Sequence, residues 1–194
     1  FEIQDLGSQL ILAQAAPAPG ESWLDACAGA GGKALQLAGL LGPEGRVHVH
    51  DIRPDALAEL DARARRAGLA PRILRLPGGD PSARAPYDGV LIDAPCSGTG
   101  TWRRAPHLKW STTPALIGEA AAVQAALLRK FSALVRPGGR LVYATCSLCD
   151  RENTAQTADF LAAQAGYRLE FQRLIRPAAA DTDGFFVASL RRAP

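Results

Sequence analysis

Apolar positions along the chain switch between two spacings, and the switches mark out alternating helices and strands. Leu6 to Ala16 predicts a short lead-in helix and Ser22 to Asp25 a first strand. Lys33 to Leu41 reads as a helix that Gly42-Pro43 breaks, and Arg46 to Asp51 reads as a second strand. Pro54 opens the next helix in the position proline tolerates best, with Leu57, Leu60 and Ala64 on one face and a stop at Gly68. Arg72 to Leu76 is a weaker third strand. Asp88 to Asp93 is apolar at successive positions, as a strand covered on both faces should be. After a loop to Thr113, Leu116, Ile117, Ala120, Ala121, Leu127, Leu128, Phe131, Leu134 and Val135 recur at helical spacing up to Arg136-Pro137-Gly138-Gly139, and a fifth strand starts at Arg140. Arg151 to Ala165 gives a last helix. Tyr167 to Leu174 and Phe185 to Leu190 are final strands whose short link allows antiparallel pairing. This order predicts one α/β domain, Rossmann-like, with a mostly parallel seven-stranded sheet, helices on both faces and an antiparallel C-terminal hairpin.

An open sheet of this kind binds ligands beyond the carboxyl ends of its strands, and that is where the reactive side chains fall. Cys96, in Asp93-Ala-Pro-Cys-Ser-Gly-Thr-Gly100, follows the fourth strand, and Cys146, in Tyr143-Ala-Thr-Cys-Ser147, follows the fifth. Two thiols therefore face one crevice. After the first strand, Asp25-Ala-Cys-Ala-Gly29-Ala-Gly31-Gly32-Lys33 is a glycine-rich turn opening a helix, where backbone can approach a ligand closely. It also satisfies Gly-x-Gly-x-x-Ala, with Asp51 at the second strand's end, so a dinucleotide remains open. It is not a phosphate-cradling loop of the Walker type, because Ala34 follows Lys33 and Cys27 stands where the first glycine belongs. Asp51 suits a ribose diol in either kind of cofactor. Nicotinamide chemistry gives the two cysteines no task, whereas methyl transfer gives both one.

Composition changes the picture little. The chain has 194 residues, enough for one domain and one core. It shows no apolar run long enough to span a bilayer and no signal peptide, so a cytoplasmic location is expected. The four cysteines are expected to be free thiols, since a core of this size needs no staples. The Cys146-x-x-Cys149 pair lacks a second knuckle and three scattered histidines do not supply one, so no metal is expected. His48 and His50 read as packed or exposed, Cys149 as inert, and Arg63, Arg65 and Arg66 as a helix surface. Net charge is +3, and nineteen of the twenty-two basic residues are arginine, which permits nucleic acid without showing it. The chain starts at Phe1 and holds no methionine, which is expected of a cleaved product or a domain cut from something longer.

With these motifs assembled, the chain resembles the catalytic domain of the Sun/Nop family of RNA cytosine-5 methyltransferases, bacterial ribosomal type. The resemblance runs over nearly the whole of residues 1–194, with 1–20 as the family's lead-in, beginning Phe1-Glu-Ile-Gln-Asp-Leu-Gly-Ser-Gln9. Cys27 to Lys33 matches the cofactor loop, Asp93 to Gly100 with Arg103-Arg104 and Trp110 the first cysteine motif, Ala144-Thr-Cys-Ser147 with Glu152-Asn153 the second, and Asp183-Gly-Phe-Phe186 the closing strand. Gly29-Ala30 replaces the family's Ala-Pro, His107 its aspartate, and Gly78-Gly79-Asp80 its Gly-Asp-Gly. The resemblance implies a class I methyltransferase that uses S-adenosylmethionine, bound by Cys27, Ala28, Gly29, Ala30, Gly31, Gly32, Lys33, Asp51, Ile52, Asp80 and Asp93. It implies Cys146 as the nucleophile that adds to carbon 6 of cytosine and Cys96 as the residue that helps release product. Asp93 is then expected on the N3 and N4 edge of the base, with Lys33 favouring the thiolate and holding that carboxylate. Arg103, Arg104, Lys109 and Trp110 are expected to hold a splayed-out RNA nucleotide. The expected partner is ribosomal RNA and the expected state monomeric, with an RNA-binding region upstream of the lead-in. Transfer RNA as substrate, a non-catalytic RNA-binding module and a nicotinamide-dependent reductase stand as alternatives. A DNA cytosine enzyme is expected to take its nucleophile from the Pro-Cys motif alone.

Overall fold

The structure, a computed structural model, describes residues 2–76, 79–177 and 181–194. Seven strands form one sheet in the order β3-β2-β1-β4-β5-β7-β6. They are β1 (Ser22–Asp25), β2 (Arg46–Val49), β3 (Ile73–Arg75), β4 (Tyr87–Asp93), β5 (Val135–Thr145), β6 (Tyr167–Ile175) and β7 (Phe185–Arg192). β1 to β5 pair in parallel, and β7 runs antiparallel between β5 and β6. The helices are α1 (Leu6–Ala15), α2 (Gly32–Leu41), α3 (Pro54–Arg66), α4 (Leu108–Ser111), α5 (Pro114–Ser132) and α6 (Thr154–Ala163).

Successive side chains on a strand point to opposite faces, and here each face has its own core. Trp23, Leu91, Val142 and Val187 meet Leu12, Leu37 and Leu60 from α1, α2 and α3. Leu24, Val90, Ile92, Leu141 and Tyr143 meet Leu128, Phe131 and Phe160 from α5 and α6 on the other side. The continuous apolar runs of β4 and β5 follow from being covered twice.

The predicted order of elements holds, and the departures lie at their ends. β5 starts at Val135 rather than Arg140, because Val135 already pairs with Tyr87 and the next pair is Gly89 with Arg140. Arg136 to Gly139 bulge out between those pairs, with Gly138 at a φ of 68° and Arg136 on Asp88. β2 stops at Val49 rather than Asp51, because Asp51 turns away to accept the amide of Gly29. α6 begins at Thr154 rather than Arg151, since Asp150–Glu152 forms a 3-10 turn that buries Glu152. The expected loop after β4 contains a 3-10 turn, Thr99–Thr101, and α4.

Gly89 on β4 lies flat against the Trp23 ring, and a methyl group there would overlap the indole. Gly89→Ala is expected to cost about 1–3 kcal/mol through overpacking. Gly39→Ala, in open space on α2, should instead stabilise by up to ~1 kcal/mol. Urea denaturation of both variants checks this, and equal effects would show that Gly89 does not pack against Trp23 as described.

Candidate active site

The sheet changes direction at β1, with β2 on one side and β4 on the other. The carboxyl ends of β1, β4 and β5 therefore open a crevice at the switch point, where such sheets receive ligands. A cavity of about 820 Å³ lies there. Its walls come from the lead-in, the loop after β1, the turn after β2, the segment after β4, and Cys146 after β5.

The loop after β1 is shaped by its glycines. Gly29, at a φ of 52°, sends its amide to Asp51 Oδ2 at 2.8 Å, which ties this loop to the turn after β2. Asp51 also takes both arms of Arg53, at 2.9 Å each. Those hydrogen bonds outweigh burial, which acts the other way, and hold its carboxyl well below the usual range, at about 2. A diol would put two hydroxyl donors where Arg53 now puts two N–H groups. Arg53 is two-thirds exposed, and such ion pairs are weak enough to exchange.

The reactive centre lies at the other end of the cavity. Lys33, on the first turn of α2, donates from Nζ to Asp93 Oδ2 at 2.7 Å. Cys96 and Cys146 bring their sulfurs to 3.3 Å. The hydrogen bond from Cys96 lowers the Cys146 thiol from its ordinary value, helped by the charges of Lys33 and Arg104 and opposed by burial and Asp93. The same hydrogen bond, together with burial, pushes Cys96 up. Of the two, Cys146 is therefore the thiol that ionises more readily. Cys27 also lines the cavity, and burial, with repulsion by Asp25 and Asp93, pushes its thiol up to about 12.

Of the residues singled out from sequence, Cys27, Ala28, Gly29, Ala30, Gly32, Lys33, Asp51, Ile52, Asp93, Cys96, Cys146 and Arg104 line this cavity. Gly31 stands behind it, at a φ of 91° against Leu60. Asp80 is not part of the lining; it caps the 3-10 turn Pro81–Arg84 through the amide and hydroxyl of Ser82. Its neighbour Gly78 lies outside the described residues. Arg103 and Arg104 are engaged within the protein: Arg104 pairs with buried Asp183, and Arg103 with Asp181 at 3.2 Å and Asp5 at 3.7 Å. Lys109 and Trp110, by contrast, are exposed on α4, with the ammonium 5.7 Å from the indole centroid. Arg63 and Arg66 are more than a helix surface, since both hold Glu2 of the lead-in and Arg63 also donates to Ala30 O.

Sequence reading missed Asp25. It ends β1, is 1% exposed, lines the cavity, and has no hydrogen-bond partner for either carboxylate oxygen among the described residues. Its position as first residue of the glycine-rich loop was the available signal. Burial, then repulsion by Asp93, lifts its carboxyl to about 7 against the pull of Lys33 and of the nearby Cys27 backbone amide, which lies short of good hydrogen-bond geometry.

The strand order, the closing hairpin and the crevice at the switch point define a Rossmann-like methyltransferase fold. The chain belongs to the family described as 16S rRNA methyltransferase RsmB/F, whose model matches residues 12–191. This agrees with the resemblance carried by the two cysteine motifs. A probable ribosomal RNA small subunit methyltransferase B of Synechocystis is 35% identical over 215 residues, covering 100% of this chain and 48% of its own. A ribosomal RNA small subunit methyltransferase B of Salmonella arizonae is 35% identical over 198 residues, covering 97% of this chain and 46% of its own. The chain thus spans about half the length of these relatives. The crystal structure of NSun6 from Pyrococcus horikoshii with SFG superposes at a TM-score of 0.87 with 26% identity, over 98% of this chain and 53% of that one.

The raised carboxyl of Asp25 has a measurable sign. Between 3.8 and about 7 the folded state keeps a proton that the unfolded state gives up. Stability from this group is therefore present at low pH and lost as the pH rises through that window. In the cofactor-free protein, Asp25→Asn should gain on wild type between about pH 5 and about pH 7, read by urea denaturation. Parallel pH dependences would place the Asp25 carboxyl outside the buried setting described.

Proposed function

We propose that the domain transfers a methyl group from S-adenosylmethionine to carbon 5 of a cytosine in RNA, with ribosomal RNA as the substrate class. The observation that carries this is the thiol pair at 3.3 Å beside the Lys33–Asp93 ion pair, inside the same cavity as the Asp51 loop. The names of the relatives support ribosomal RNA, and the NSun6 structure with SFG supports a ligand in a chain of this fold. The cavity fits a cationic cofactor on its own chemistry. Lys33 and Asp93, Arg53 and Asp51, and Arg104 and Asp183 neutralise one another. Asp25 adds a buried carboxyl with no hydrogen-bond partner among the described residues, and its ionised form suits a sulfonium and an ammonium.

Carbon 5 of cytosine is too weak a nucleophile unaided, so the ring must first be activated covalently. The Cys146 thiolate adds to carbon 6, and the carbon 5–carbon 6 π pair moves onto carbon 5. Asp93 accepts a hydrogen bond from the N4 amino group while Lys33 keeps that carboxylate in place. S-adenosylmethionine supplies the electrophilic methyl group that carbon 5 takes. The proton on carbon 5 then leaves to water, its electron pair restores the ring double bond, and the bond from carbon 6 to Cys146 breaks. Cys96, still protonated, donates a hydrogen bond to the departing thiolate. Lys109 and Trp110 provide an exposed cationic and aromatic surface for a flanking nucleotide. Further segments, of the kind that make up the rest of the relatives' length, would supply the main grip on RNA.

The cofactor assignment is tested by thermal unfolding. S-adenosylhomocysteine should raise the melting temperature, since a ligand that binds only the folded state stabilises it. Asp51→Ala should lose most of that rise. Stabilisation by NADH alone would overturn the assignment.

The two thiols should fail in opposite ways. Cys146→Ala is expected to form no covalent RNA complex. Cys96→Ala should add, transfer the methyl group and stall, leaving a complex that survives denaturing electrophoresis and needs both cofactor and a cytosine target. The reverse pattern would exchange the roles, and full turnover by both variants would end the thiol mechanism.

A further inference from the structure

Each of the two cysteines is followed by a serine, and one buried carboxylate holds both serines. Glu152 is fully buried on the 3-10 turn Asp150–Glu152. Its Oε2 accepts the hydroxyls of Ser97 and Ser147, each at 2.5 Å. Its Oε1 accepts the amide of Ser97 at 2.8 Å and the side-chain amide of Gln124 at 3.0 Å. The two hydroxyls are 3.2 Å apart, and Thr99 adds a third at 3.1 Å from Ser147. Behind them, Asn153 joins the Thr145 hydroxyl to the Ser147 carbonyl, and Gly100 donates to the carbonyl of Cys146 at 2.9 Å.

A carboxylate is the side chain that can take four donors at one point, because both of its oxygens accept and neither donates. Burying one is costly unless it is fully hydrogen-bonded, and Glu152 meets that condition with donors from three separate segments. It does not line the cavity. What it joins is the backbone beside Cys96 to the backbone beside Cys146, 50 residues apart in sequence.

We infer that Glu152 is a positioning residue: by gathering Ser97 and Ser147 on one carboxylate it sets the 3.3 Å approach of Cys96 to Cys146, and with it the hydrogen bond that keeps Cys146 ready to attack. The inference rests on reading Cys146 as the nucleophile. The groups facing Cys146 are Cys96 and Arg104 from the segment after β4, Asp93 at the end of β4 and Lys33 on α2, with Asp183 pairing Arg104. None of these touches Glu152 by a side-chain hydrogen bond among the described residues. The Glu152 charge does help to raise the Cys96 thiol, so removing it favours ionisation of the pair, and a shift of Cys146 to higher pH in a neutral variant reports geometry rather than charge. In Glu152→Gln an amide replaces one oxygen, and a donor then faces donors: the serine hydroxyls must turn, and the two loops lose their common anchor.

The test needs no RNA. Alkylation of each cysteine by iodoacetamide is followed against pH by peptide mass spectrometry in wild type, Glu152→Gln and Ser147→Ala, with the melting-temperature rise from S-adenosylhomocysteine as a check on the folded site. Wild type should label Cys146 well ahead of Cys96. Glu152→Gln should move the Cys146 half-point to higher pH and cut its preference over Cys96 roughly tenfold, the equivalent of one unit in pKa. Ser147→Ala keeps the carboxylate and the Ser97 arm, and should shift less in the same direction. It also decides the matter if Glu152→Gln does not fold. A variant with a lower melting temperature but an unchanged pH profile and selectivity would make Glu152 merely structural and overturn the inference. Normal alkylation profiles in a protein that methylates no cytosine would defeat the proposed reaction instead, so the two failures are distinct.

Discussion

The parallel pairing of β4 with β5 is the constraint on which the rest of the site depends. In that ladder Asp93 stands opposite Ala144, and the next amide, of Ala94, donates to the Ala144 carbonyl at 2.8 Å. Both chains therefore leave the sheet at the same level. Cys96 follows Asp93 by three residues and Cys146 follows Ala144 by two, so the thiols arrive side by side without either strand bending. A one-residue slip would turn the side chains of one strand to the opposite face and carry the thiols apart, so their meeting depends on this one register. The glycine at position 100 belongs to the same requirement. Its α-carbon packs against the carbonyls of Gly184 and Cys146, where any side chain would push the first cysteine loop away.

The second constraint is charge. Burying a charge is costly unless an opposite charge or donors meet it, and the site pairs its charges across elements: Lys33 of α2 with Asp93 of β4, Arg104 after Cys96 with Asp183 before β7, whose second oxygen faces Arg103 at 3.6 Å, and Glu152 with hydroxyls and amides. Each pair also fixes a loop. Asp5 shows the economy of this arrangement, since one carboxylate caps α1 through Gly7 and Ser8 and also takes the Thr182 hydroxyl and the Asp183 amide. The lead-in, the first cysteine loop and the closing link are thereby joined at one edge of the cavity. Glu2 ties the lead-in to α3 through Arg63 and Arg66.

Much of this was legible in the chain itself. The period of the apolar positions marked every strand and every long helix, because burial on one face or two leaves its signature residue by residue. The two cysteine motifs and the glycine-rich loop were legible for a similar reason: close backbone approach and thiol chemistry tolerate few residue types. Element ends were less so. The bulge at Arg136 to Gly139 and the late start of α6 are set by partners on other strands and loops, which local propensity does not contain.

What the sequence by itself determined, then, is the alternation of elements, the placement of both thiols at strand ends and the loop that accompanies β1. The tertiary structure alone decided how charges are shared. Arg103 and Arg104 read as free cations until Asp181 and Asp183 are seen beside them, and Asp80 read as a cavity residue until Ser82 is found to hold it elsewhere. Asp25 and Glu152 are both acidic and both buried, yet among the described residues one has no hydrogen-bonded partner and the other takes four donors. The physical reason is that a charged side chain's role depends on which opposite charge or donor lies within hydrogen-bond reach and on how much water remains, and those neighbours come from segments many residues away.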